Sequence, residues 1–114
     1  MTYDEFQKFM FNLPKAGGSQ GGSHMPRQRV QIGEINLSIQ ADKFKYCSPR
    51  ENGLSEYEDW EIGYPSEPIP ELIEFAESDQ YTDTVYGYVP TSVILEIITR
   101  LGGIKEYQLT TANQ

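Results

Sequence analysis

One cysteine and one histidine are all that this 114-residue chain holds of the residue types that most often ligate metals or pair as nucleophile and base. With Cys47 alone no disulfide can close within the chain. A disulfide scaffold is therefore excluded, and a reducing, cytoplasmic compartment is expected. His24 lies in a stretch of glycine and serine. Neither a Cys/His metal cluster nor a Ser-His or Cys-His catalytic pair can then form within a folded core. No apolar run approaches the ~20 residues that cross a bilayer. The first residues are not a basic stretch followed by an apolar one, so no signal peptide is expected.

Positive charge is also missing where it would matter for nucleic acid. From Glu51 to Thr99 there are twelve acidic residues and no lysine or arginine, and the net charge is −8. The basic residues Arg27, Arg29, Lys43, Lys45 and Arg50 precede this segment. An acidic surface repels phosphates, so direct nucleic-acid binding is not expected. The acidic half reads first as a solvated face. A basic partner, or mimicry of nucleic acid, would use the same charge.

What the chain has in excess is glycine at one place. Ala16 to Met25 reads Ala-Gly-Gly-Ser-Gln-Gly-Gly-Ser-His-Met. That composition makes a flexible tether, and its last four residues are those a cloning junction leaves before an inserted gene. The chain therefore reads as an engineered fusion. Residues 1–16 form a peptide, 17–25 the tether, and 26–114 one small acidic domain.

In the peptide, Thr2 and Glu5 stand three apart, the spacing of a capping box. Tyr3, Phe6, Phe9, Met10 and Leu13 follow at helical spacing and share one side of a helix. Pro14 stops it. A helix of about three turns is not stable alone in water, so this apolar stripe needs a surface to cover it.

The domain reads as α+β: a mixed or antiparallel sheet of about four to five strands with two helices. Val30 and Ile32 alternate, then Ile35, Leu37, Ile39 and Ala41, with a phase shift at Gly33-Glu34 that marks a bulge or tight turn. Phe44 and Tyr46 continue the alternation. Ser48 to Gly53 carries turn chemistry. Trp60, Ile62 and Tyr64 alternate in a third strand. Pro70 can open a helix running to about Ser78, with Leu72, Ile73, Phe75 and Ala76 inward. Thr82 to Val89 is β-rich, and strict alternation sends Tyr86 and Tyr88 to one face and Val85, Gly87 and Val89 to the other. Thr91 or Ser92 caps a helix through Leu101 that is apolar nearly all round and stops at Gly102-Gly103. Ile104 to Leu109 returns as a last strand.

Candidates for catalysis are thin. Glu56, Glu58, Asp59 and Glu61 are close in sequence, but acid/base work needs one of them buried with a raised pKa. No EF-hand pattern is present, and no metal or other cofactor is expected. Cys47 lacks a partner base and reads as a small buried hydrophobe. Aromatic residues point elsewhere, because Tyr and Trp are favoured at interfaces. Tyr57, Trp60, Tyr64, Tyr86 and Tyr88, with Ile94 and Ile98 of the apolar helix, are the candidate binding residues of the domain.

The expectation is a non-catalytic adaptor or inhibitor that holds a partner protein's amphipathic helix, supplied here by residues 1–16, in an apolar groove. An acidic nucleic-acid mimic and a small carboxylate-using enzyme are the alternatives. Ten flexible residues span roughly 16–19 Å. That allows docking within one chain or exchange of the peptide in a dimer.

Overall fold

A two-residue turn organises the sheet. The computed structural model describes residues 1–13 and 27–110. The tether assigned to 17–25 lies outside the described residues. β1 (Arg27–Ile32) and β2 (Ile35–Gln40) form a hairpin in which Val30 faces Leu37 and Ile32 faces Ile35. Gly33, in the turn, has φ 58°, a conformation that glycine adopts without steric cost. The phase shift in the sequence is this turn.

β3 (Asp59–Gly63) pairs with β2, and β4 (Val85–Pro90) pairs with β3. β5 (Ile104–Thr110) pairs with the other side of β1, giving the order β4-β3-β2-β1-β5. All four pairings are antiparallel, so β4 and β5 run the same way at opposite edges. The helix α2 (Thr91–Leu101) links them and must cross the sheet to do so. The expected α+β class holds, with a five-stranded antiparallel sheet and two helices.

One face of the sheet is apolar. Val30, Ile32, Leu37, Ile39, Trp60, Ile62, Tyr86 and Val89 are buried there. They form one cluster with Ile94, Ile97 and Ile98 of α2 and with Ile69 and Leu72. The opposite face carries Arg29, Asn36, Ser38 and Glu61. Arg29 there donates to the Asn36 side chain at 2.7 Å and to the Tyr64 carbonyl at 2.7 Å.

Four local expectations are corrected. The helix expected from Pro70 to about Ser78 is a six-residue 3-10 helix, Pro70–Phe75. Its period of three places Ile69, Leu72 and Phe75 on one side, and Ile73 turns out to solvent, 43% exposed. In β4, Trp60 pairs with Val89 and Ile62 with Tyr86, so Gly87 and Tyr88 together oppose Glu61. This bulge resets the alternation. Tyr86 and Val89 share the buried face, while Tyr88, with φ 54°, points out.

Phe44 and Tyr46 do not extend β2, which ends at Gln40. Asp42 turns the chain instead: its carboxylate accepts from the Phe44 N–H at 2.7 Å, and Phe44 is left exposed. Finally, the cap of α2 is Pro90, with no side-chain hydrogen bond, and Thr91 is the first helical residue. Its hydroxyl is engaged elsewhere.

Candidate functional site

Before the sheet meets its first helix, the N-terminal segment has already made its own. The helix α1 (Tyr3–Asn12) starts with the capping box: Glu5 N–H donates to Thr2 Oγ1 at 3.1 Å and Thr2 N–H donates to Glu5 Oε1 at 2.7 Å. It lies against α2. Phe6, Met10 and Leu13 are buried and join the apolar cluster of the domain. Phe9 is half-buried, and Tyr3 lies at the edge with its hydroxyl donating to Glu56 Oε2 at 2.7 Å. That carboxylate holds the Tyr3 phenol's proton and pushes its pKa up to about 12.

The seat of α1 is built from β3 and from the residues before it. Trp60 projects from β3 to the apolar face, and Phe6 forms a T-shaped pair with it, centroids 5.3 Å apart and planes at 80°. The Tyr57 ring also lies against Trp60, centroids 5.3 Å apart and planes tilted at 58°, its hydroxyl donating to the Glu51 carbonyl at 2.6 Å. An edge-to-face pair sets the positive ring edge against a negative face and adds about 0.5–1.5 kcal/mol to the burial itself.

Polar groups fix the floor. Trp60 Nε1–H donates to Thr91 Oγ1 at 2.9 Å. The Thr91 hydroxyl reaches the carbonyls of Glu58 at 3.0 Å and Tyr57 at 3.1 Å. Burying an indole N–H and a hydroxyl without partners would cost about 1–3 kcal/mol each. Here each supplies the other's need.

Gln7 was not among the candidates, yet it is only 5% exposed. Its Nε2 donates to the Tyr57 carbonyl at 2.8 Å. Its Oε1 accepts from the Tyr57 N–H at 3.1 Å. The one signal in the sequence is its place between Phe6 and Met10, on the flank of the apolar stripe.

Of the domain-side candidates, Tyr57 and Trp60 meet α1, and Ile94 and Ile98 lie buried in the helix it packs on. Tyr86 is buried beneath the sheet's edge, where its hydroxyl donates to the Tyr81 carbonyl. Tyr64 follows β3 with φ 49°, its carbonyl taken by Arg29. Tyr88 stands on the far face beside Tyr46, ring centroids 6.0 Å apart. These three are not brought to α1.

The carboxylates do not converge. Glu56 bonds Tyr3, Glu58 is exposed, and Glu61 accepts from the Tyr46 N–H at 3.1 Å. Asp59 is held above the usual carboxyl range, chiefly because it is partly desolvated, and its Oδ1 is buried without a hydrogen-bond partner. Among the described residues no group of three His, Cys, Asp or Glu is placed to hold a metal ion, and no helix is long and apolar enough to cross a membrane.

Cys47 is 1% exposed, with its thiol directed to the Asp42 carbonyl at 3.3 Å. Burial, more than any charge nearby, pushes its pKa up. Since the thiolate is the reactive form, a disulfide reagent at neutral pH should label Cys47 at the rate the protein opens. Labelling of the folded chain as fast as a free thiol would contradict this. Comparison with known proteins adds nothing to this geometry: no family model, curated protein or solved structure matches the chain.

Proposed function

We propose that residues 26–114 form a non-catalytic protein-binding domain, an adaptor or inhibitor of the reducing cytoplasm. In this reading it holds an amphipathic helix of a partner protein across Trp60 and α2. Residues 1–16 stand for that partner's helix. The supporting observation is the way α1 is attached: it adds no strand to the sheet, and it buries Phe6, Met10 and Leu13 against the apolar cluster that α2 and the sheet share. A guest helix in a groove is read through such anchors at every third or fourth residue. The tether raises the helix's effective concentration to the order of millimolar, which makes a weak complex a stable one. The same reach permits two copies to exchange helices and form a dimer.

A protease site placed within residues 17–25 tests the reading. After folding and cleavage, the 1–16 fragment should leave on dilution and rebind saturably, while the remainder keeps a cooperative thermal transition. If the remainder loses that transition once the helix is gone, α1 belongs to the fold and is no ligand.

A further inference from the structure

A buried glutamine amid aromatic anchors is the least expected contact in the molecule, and its geometry is complete. Tyr57 precedes β3 and has no strand partner at its own N–H and C=O. The Gln7 carboxamide meets both, donor to acceptor and acceptor to donor, at 2.8 and 3.1 Å. Its second amide hydrogen faces Thr91 Oγ1 at 3.5 Å. The carboxamide thus behaves as a one-residue neighbouring strand. Beside it Phe6 abuts Trp60. One side chain anchors by shape, and the next reads the backbone.

We propose that Gln7 is the specificity-determining residue of the site. The groove selects helices carrying glutamine immediately after the first apolar anchor, in the pattern Phe-Gln-x-x-Met-x-x-Leu, and rejects a carboxylate or an aliphatic chain there. The proposal rests on the docking reading above and adds to it the chemistry of the partner.

The reason is donor–acceptor matching. A glutamate of the same shape could accept from the Tyr57 N–H, but its second oxygen would face the Tyr57 carbonyl with no hydrogen between them. A methionine of similar length leaves the Tyr57 N–H buried and unpaired, and leaves the Tyr57 carbonyl only the Thr91 hydroxyl at 3.1 Å. A site built to bond a polar group penalises the analogue that lacks it far more than an apolar pocket penalises a missing methylene. The Thr91 hydroxyl, held by Trp60 and shared between the Glu58 and Tyr57 carbonyls, serves the carbonyl side only, so the Tyr57 N–H depends on Gln7. Glutamine, glutamate and methionine have similar helix propensities, so differences in binding would not come from the helix itself.

The test uses the chain cleaved within residues 17–25, with a fluorophore at the cut end of the 1–16 fragment. Unlabelled 1–16 peptides compete it off, and the groove is therefore folded around a wild-type helix at the start of every titration. The wild-type peptide should displace the label. Gln7→Glu and Gln7→Met peptides should need about 10- to 100-fold more, and Lys8→Ala, at an exposed position, about the same as wild type. In the intact chain, Gln7→Met should speed hydrogen exchange of the Tyr57 amide while exchange in β1 and β2 stays slow. If wild-type peptide displaces the label and both Gln7 variants do so within threefold of it, selection by Gln7 is wrong although the groove stands. If wild-type peptide never displaces the label, docking is wrong and the selection falls with it.

Discussion

Phe6→Ala should lower the unfolding free energy of the intact chain by about 3–5 kcal/mol, the range for truncating a fully enclosed phenylalanine. The side chain is 0% exposed, and its ring packs against Trp60 with the planes at 80°. Trp60 is the sole tryptophan, so its fluorescence reports the event directly. The expected curve in urea is specific to a docked helix. The loss of Phe6 cannot cost more than the whole docking free energy of α1. Beyond that, the helix leaves and the domain keeps its own stability. The fluorescence transition should therefore move to lower urea and separate from the far-ultraviolet transition of the sheet. Phe11→Ala, at a position 52% exposed, should stay within about 0.5 kcal/mol of the parent. A Phe6→Ala loss below about 1 kcal/mol would mean that α1 is only loosely seated.

The anchors of α1 were legible because hydrophobic spacing at three and four residues has few other meanings in a short segment with a cap. The hairpin at Gly33-Glu34, the helix of Ile94 and Ile98, and the returning strand were legible for the same reason, a period written in side chains. Tyr86 and Tyr88 were misread because a bulge costs one residue and leaves no mark in an alternating pattern. Gly87 was the available hint: a β-carbon there would lie 3.0 Å from that of Tyr46. Gln7 escaped because polarity alone argues for solvent. Its partner is the backbone of Tyr57, fifty residues away, and a backbone amide has no sequence signature. Thr91 looked like a helix cap for a sound reason, since threonine favours that place. The indole of Trp60 and the carbonyls beside it took its hydroxyl first.

Gly33→Ala should strike the domain where Phe6→Ala strikes the helix. Gly33 has φ 58°, and a β-carbon on it would lie 2.6 Å from the Leu101 carbonyl oxygen and 3.0 Å from the Leu101 β-carbon. The left-handed conformation costs a non-glycine residue about 1–2 kcal/mol. The close approach adds more, because the obstacle is backbone and cannot rotate away. Relief requires the β1–β2 turn to lift from the end of α2, and that would also strain the hydrogen bond from the Gly33 N–H to the Gly103 carbonyl at 3.1 Å. A total loss of about 2–4 kcal/mol is expected, in the range of backbone strain combined with overpacking. Thr91 and the seat of α1 lie at the other end of α2, about 15 Å away at 1.5 Å per residue. The groove's geometry should thus be preserved while the platform beneath it weakens. In urea the sheet transition should move down towards the release of α1 until the two coincide. Paired with Phe6→Ala, which moves them apart, this variant measures whether helix and domain are two cooperative units or one. Equal shifts of both transitions in both variants would show a single unit, and α1 would then be part of the domain it was taken to visit.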